Sequence, residues 1–332
     1  MSSALDVVCV GLIVADHVCA PIPRMPASGA LITTPRLELT IGGSAANTAV
    51  DLAKLGLAVS IVGRVGDDVL GRFCREFLEA KSVDCGDLVV SRTAQTSATL
   101  IVNVQGDDRR FIHTVGANAE LTGLEVSDEL LKRARAICIG GYILNPALSA
   151  KNVSALFRRA RELGVLTLLD VVIGDAEEEN AVRMLAPVLP HTDYFLPNSD
   201  EARMITGETE LPRQLTALHE LGARTIILTR GRHGSVLSRP GEPLQEAGAY
   251  PVEQVDGTGG GDAFVAGLIY GLLQSAGKNG SEPSPAERLR CVQYGAAMGA
   301  SCVRAMGATT GVFDRSGLEA FVAQERWGAG CR

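Results

Sequence analysis

The chain has 332 residues, 46% hydrophobic and 21% charged, a balance that excludes a disordered segment and supplies apolar surface for a sizeable core. Thirty-one Lys and Arg against 38 Asp and Glu leave a net charge of -7, and no basic block with interleaved aromatics occurs, so neither a nucleic acid nor an anionic membrane is an expected partner. Glycine is abundant, at 37 residues, while aromatics make up only 4%, as suits many tight turns and close backbone approaches. By length the chain allows two ordinary domains or one large α/β unit with an insertion.

In chain order, the apolar run 7–15 follows Asp6 and is closed by Asp16, with no Lys or Arg before it, which is not the pattern of a signal peptide. Residues 7–10 read as a strand buried on both faces, and so do Val59–Val62, 136–139, Leu166–Asp170, 193–196 and Thr225–Thr229. Amphipathic stretches at 46–55, Val69–Ala80, 151–163 and 181–189 read as helices between them, and the alternation predicts a mostly parallel sheet flanked by helices. Two segments break the rhythm. Residues of about 17–40 are Pro-rich and then extended, and about 93–115 hold two strand-like runs, 97–104 and 109–115, around a Gly106-Asp107-Asp108 turn. Together they predict a small β lid inserted into the α/β body. No internal repeat occurs, and the one candidate linker, 277–285, reads as a polar loop between two helices.

The eight cysteines form no C-x-x-C pair and mostly sit in apolar runs, the usage of buried thiols in a reducing compartment. No apolar stretch reaches the ~18 residues of a membrane span, so a cytoplasmic protein is expected.

The segment Asp256-Gly257-Thr258-Gly259-Gly260-Gly261-Asp262 opens an apolar helical run over 265–273. Glycines at a helix start leave free N–H groups at the positive end of the helix dipole, a site for an anion such as phosphate. A plain strand-to-helix turn capped by Asp262 is the alternative. No dinucleotide G-x-G-x-x-G fits, because residue 262 is Asp, and no G-x-x-x-x-G-K-[ST] occurs. A carboxylate beside an anion site could accept the proton of a hydroxyl attacking the bound phosphate.

A second constellation, Ile41-Gly42-Gly43-Ser44-Ala45-Ala46-Asn47, again precedes a helix and is followed by Gly63, Gly66-Asp67-Asp68 and Gly71. The two stretches, about 215 residues apart, resemble the paired signatures of the ribokinase-like (PfkB) carbohydrate kinases, and the similarity runs through essentially the whole chain in the same order. The resemblance implies one kinase domain over 1–332, Rossmann-like with a β lid, transferring the γ-phosphoryl of ATP to a hydroxyl of a sugar or related small molecule. It implies Asp262 as catalytic base and Gly259, Gly260 and Gly261 as the anion hole. Asn198-Ser199-Asp200-Glu201 resembles the N-x-x-E element of the Mg²⁺ and phosphate network, with Glu201 acting through water; a helix cap is the alternative. Thr229, Gly231 and Gly234 resemble the turn bordering the nucleotide, with 293–303, Gly307 and Gly311 completing the adenine pocket, and Asp256 and Thr258 are candidates for a monovalent cation site, K⁺ by resemblance.

For the acceptor, the resemblance implies Asp16, at the end of the first strand, with Gly42, Gly43 and Asn47 as sugar contacts; a solvated strand end is the alternative for Asp16. Gly116-Ala117-Asn118-Ala119 resembles the segment returning from the lid. Two departures bear on the substrate. No acidic residue occupies Gly140-Gly141-Tyr142, where ribokinase has a sugar contact, and Asp170 is followed by Val171-Val172-Ile173 rather than by the Asn and Arg of many hexose and sugar-acid kinases. A nucleoside kinase would need an aromatic wall, for which Phe111 and Tyr142 are the candidates, and a non-catalytic sugar-binding regulator is the further alternative. Relatives often dimerise through such lids, and the face bearing Leu100, Val102 and Val104 makes a homodimer the expectation.

Overall fold

The near-continuous apolar runs become adjacent strands because burial on both faces selects β-branched and aliphatic side chains throughout. The computed structural model describes residues 4–106, 110–174, 178–275 and 282–324. From the N-terminus come β1 (Val7–Gly11), β2 (Val14–Ile22), β3 (Leu37–Gly42), α1 (Ser44–Lys54), β4 (Val59–Val62), β5 (Arg64–Gly66), α2 (Val69–Ala80), β6 (Val83–Asp84) and β7 (Val89–Ser91). They are followed by β8 (Ala98–Val104), β9 (Arg110–Thr114), α3 (Asp128–Arg133), β10 (Ala136–Gly140), α4 (Ala150–Glu162), β11 (Leu166–Asp170), α5 (Ala181–Leu185) and β12 (Tyr194–Leu196). The rest comprises α6 (Ser199–Thr206), α7 (Leu211–Glu220), β13 (Thr225–Thr229), β14 (Ser235–Ser238), β15 (Gln245–Ala247), α8 (Gly260–Ser275), α9 (Pro285–Cys302) and α10 (Arg315–Gln324).

The main sheet has nine strands in the order β15-β14-β13-β12-β11-β10-β1-β4-β6. It is parallel from β6 to β13, and β14 and β15 add antiparallel at one edge. Helices flank it and two apolar cores cover its faces, so the fold is the α/β type that the alternation predicts. From β1 the chain goes first to β4 on one side and later to β10 on the other. That reversal leaves a crevice at the carboxyl ends of β1 and β10, where open α/β sheets bind ligands.

The predicted helix over 181–189 is shorter in the structure, ending at Leu185 as α5, because Pro187 has no N–H to continue the helical hydrogen bonds. Residue 193 likewise falls just before β12. Asp107, Asp108, Arg109, Cys331 and most of the 277–285 loop lie outside the described residues.

A second, four-stranded sheet runs β3-β2-β8-β9. Here the sequence reading needs correction: β1 ends at Gly11, and Asp16 lies inside β2, paired across the sheet with Thr40 on one side and Thr99 on the other. Leu12 and Ile13 separate the two strands, and the Asn118 side chain pins Ile13 by accepting from its N–H at 3.3 Å and donating to its carbonyl at 2.9 Å.

Helix α8 is buried from Ala263 to Leu273, wedged against α1 and α9. A Cβ on Gly267 would stand 2.5 Å from the Tyr294 carbonyl oxygen of α9, so glycine permits the close crossing that fixes the start of α8. Among the described residues no helix is long and apolar enough to cross a membrane.

Candidate active site

Helices α1 and α8 both begin at the crevice, and their first turns meet. The Asn47 Nδ2 donates to Asp262 Oδ2 at 2.8 Å, and the Thr48 hydroxyl approaches the Asp262 carbonyl at 3.5 Å. Asp262 lies in the first turn of α8, as its third residue rather than at a cap. Burial pushes its carboxyl up to about 7, against the lowering effect of the Asn47 and Ser44 hydrogen bonds. Desolvation therefore outweighs the donors, and the group exchanges its proton near neutrality.

Gly259, Gly260 and Gly261 form the turn into α8, whose first amides have no acceptor within the helix. The turn is braced from behind. The Thr258 amide and hydroxyl donate to Asp256 Oδ1 at 2.9 and 2.7 Å, and the Gly307 amide donates to Oδ2 at 3.0 Å. Asp256 thus ties the glycine turn to the loop after α9.

The second sheet closes the opposite side. Asp16 is buried, and desolvation pushes its carboxyl up to about 6, moderated by the Thr99 hydroxyl and by His17. Gly42, the last residue of β3, packs so tightly here that a Cβ would overlap the Asp16 carboxylate. Gly43 caps α1 and places Asn47 one turn in. A cleft between this sheet and the turns at 256–258 and 307–308 is lined by Asp16, Val18, Thr40, Ile101, Asn103 and Asp256, among others.

Further along the carboxyl edge, Asn198 and Glu201 form a reciprocal cap on α6. The Asn198 Oδ1 accepts from the Asp200 and Glu201 amides at 2.9 Å each, and Glu201 Oε2 accepts from the Asn198 amide at 2.8 Å. Burial raises Glu201 to about 7, with Asp200 and Asp262 adding repulsion. Asn198 bridges to Thr229 at the end of β13, and Gly231 and Gly234 turn the chain into β14 beside them.

Two carboxylates at this edge carry no role in the sequence reading. Asp170, at the end of β11, has its carboxyl held well above the usual range by burial and then by Asp262 and Glu201, and it accepts from the Gly141 amide at 3.2 Å. Asp51 is fully buried one turn after Asn47 on α1, and among the described residues neither its carboxylate oxygens nor Asn47 Oδ1 has a hydrogen-bond partner. Its carboxyl is likewise raised, by burial, then by Asp262. The sequence signal was an acidic residue four positions from Asn47 within an apolar helix face. Tyr142, a candidate wall for a nucleoside, is fully buried, and its hydroxyl donates to the Met184 carbonyl at 3.2 Å, so it lines no open site. Phe111 is exposed on β9.

Residues 4–314 match the model of the pfkB family carbohydrate kinases. Among curated proteins the chain is 31% identical over 284 residues to an Escherichia coli fructokinase, covering 84% of this chain and 90% of that one. It is 29% identical over 308 residues to an Arabidopsis thaliana ribokinase, covering 90% and 76%. The structure superposes on that of Arabidopsis thaliana ribokinase complexed with ribose and ATP with a TM-score of 0.82, at 24% identity over 97% of this chain and 100% of the other. Fructokinase with bound ATP from Xylella fastidiosa gives a TM-score of 0.82 at 21% identity, over 96% and 98%. With the paired glycine motifs converging on Asp262 and the family match spanning nearly its whole length, the chain belongs to the pfkB family of carbohydrate kinases, phosphotransferases that act on an alcohol group.

Proposed function

We propose that this chain transfers the γ-phosphoryl of ATP to a hydroxyl of a sugar, with Asp262 as general base and the amides of Gly259, Gly260 and Gly261 as the anion hole. The observation that carries the proposal is the Asn47 to Asp262 contact, which sets a carboxylate of near-neutral proton affinity at the start of α8, beside the glycine turn. The acceptor oxygen bonds to the γ-phosphorus, its proton passes to Asp262, and the bond to the β,γ-bridging oxygen breaks to release ADP. The nucleotide is assigned to Asn198, Thr229, Gly231 and Gly234, and the acceptor to Asp16, Gly42, Gly43 and Asn47.

The donor set fits a hydrated Mg²⁺. Asp262 and Glu201 raise the proton affinity of Asp170, and Asp262 that of Glu201, an excess of negative charge that hard oxygen ligands and a divalent cation would relieve. Among the described residues no group of three or more His, Cys, Asp or Glu side chains is spaced to hold a metal by itself, and Glu201 is assigned to act through water. Bound Mg²⁺ supplies charge neutralisation of the β and γ oxygens. The Asp256 and Thr258 turn is assigned to K⁺.

Residues 1–332 are read as one kinase domain whose lid comprises the segments at about 17–40 and 93–115, supported by the second sheet. Its outer face exposes Leu37, Leu100 and Ile112, which supports a homodimer through the lid; a monomeric mass by light scattering at micromolar concentration would remove that assignment. The free, buried state of all seven described cysteines supports a cytoplasmic location.

The test is ADP release, coupled to NADH oxidation, across pentoses, hexoses, sugar acids and nucleosides with and without Mg²⁺. Turnover with a sugar that vanishes in excess EDTA is expected. Best turnover with a nucleoside would favour the second reading, for which Phe111 is the remaining wall. Binding without turnover would favour a regulator.

A further inference from the structure

The cleft-facing side of the second sheet carries a lateral row of polar side chains. Thr40, Asp16, Thr99 and His113 occupy directly paired positions on β3, β2, β8 and β9. Thr99 is buried, and its hydroxyl serves two neighbours: it lowers the proton affinity of Asp16, its direct partner across the sheet, and its oxygen lies 3.1 Å from His113 Nδ1. A hydroxyl has one proton. Given to the Asp16 carboxylate, it leaves Thr99 Oγ1 to accept, so His113 must carry its proton on Nδ1 and present a lone pair at Nε2. Partial burial holds the imidazole below its usual proton affinity. Asn103, two positions beyond Ile101 on β8, spends its Nδ2 on the Cys19 carbonyl at 2.8 Å. The row therefore offers the cleft an acceptor, the Asp16 carboxylate, with Thr99 and His113 behind it.

The charge of the cleft agrees. Among the described residues its lining includes the carboxylates of Asp16 and Asp256 and no Lys or Arg. An acceptor bearing its own carboxylate or phosphate would meet like charge there, whereas a neutral polyol donates from each hydroxyl to the acceptors that line it.

We infer that His113, acting through Thr99 on Asp16, is a positioning residue that tunes this site to a neutral polyol, and that anionic sugars are rejected. This rests on the kinase reading given above for the same site. His113 orders the Thr99 hydroxyl, the Thr99 proton fixes which Asp16 oxygen is left for the acceptor, and the described lining of the cleft supplies no Lys or Arg to pair with an acid group.

The test uses the full chain with saturating MgATP, comparing ribose, fructose and glucose with gluconate and 2-keto-3-deoxygluconate, in the parent and in His113→Leu, Thr99→Val and His113→Asn. A neutral sugar is expected to exceed every sugar acid in kcat/KM by at least about tenfold. His113→Leu and Thr99→Val are expected to raise the acceptor KM about five- to twentyfold, with the ATP KM unchanged. His113→Asn, whose amide can donate from the position of Nδ1, should return within about threefold of the parent. A sugar acid as best acceptor overturns the inference, as does an acceptor KM for His113→Leu within twofold of the parent, or no recovery in His113→Asn. Should the parent turn over no acceptor, the kinase reading fails by itself, and calorimetric titration of the same sugars decides the inference: tighter binding of a neutral sugar that weakens in His113→Leu supports it, and binding indifferent to charge or to His113 overturns it.

Discussion

Asn47 donates to Asp262 across 2.8 Å, joining helices whose contacting residues lie 215 positions apart. The bond lowers the proton affinity of a carboxylate that burial raises to about 7. A general base works when deprotonated, so activity should fall as the pH drops through this value. Asn47→Ala removes the donor and should move the acidic limb of the kcat/KM profile to higher pH, with turnover at pH 7 reduced about three- to tenfold. A limb that stays in place would show that Asn47 does not tune Asp262.

Asp262→Asn keeps the size of the side chain and loses its basicity. Turnover should drop by roughly 10²- to 10⁴-fold while ATP still binds, measured by steady-state kinetics and by nucleotide titration. Turnover within a few-fold of the parent would assign the proton to another acceptor.

Gly42→Ala places a methyl against the Asp16 carboxylate, which must shift. The acceptor KM should rise at least about tenfold, as it should in Asp16→Ala, with little change in the ATP KM. In the double variant the clash is gone, so the two effects should be strongly less than additive. Additive losses would place the two residues in separate roles.

Glu201→Gln retains an oxygen for the Asn198 amide and removes the charge. The helix cap should survive, with Tm within about 2 °C of the parent, while the Mg²⁺ concentration for half-maximal rate should rise several-fold. An unchanged metal dependence would leave Glu201 as a cap alone.

Asp51 is buried with both carboxylate oxygens unpartnered among the described residues, and its proton affinity is raised in the fold. A raised folded-state value means that stability is greatest below the unfolded value of about 4 and is lost as pH rises through the folded one. Asp51→Asn removes the ionisation, so its Tm should exceed that of the parent by at least about 2 °C at pH 8 and show a smaller difference at pH 4. A parent as stable as the variant at pH 8 would mean that Asp51 has a partner in solution, such as a bound water.

The sequence by itself determined the layers and the two motifs. Val59–Val62, Leu166–Asp170 and Thr225–Thr229 were legible to the residue because strands buried on both faces leave an uninterrupted apolar run, and Val69–Ala80 because its amphipathic period begins after a capping Asp68. The glycine turn before Asp262 was legible as a helix start because the glycines lead directly into an apolar helical run. Only the tertiary structure decided what those residues face. Asp16 reads as the end of the first strand because the apolar run continues through Ile13, yet the chain leaves the main sheet at Gly11 and Asp16 belongs to the second sheet. Long-range pairing with Thr40 and Thr99, which no local pattern encodes, set its position. Tyr142 could have been a wall or a core residue, and packing made it core. The raised proton affinities of Asp51, Asp170, Glu201 and Asp262 arise where separate segments bury carboxylates near one another, a property of the crevice rather than of any one stretch of chain.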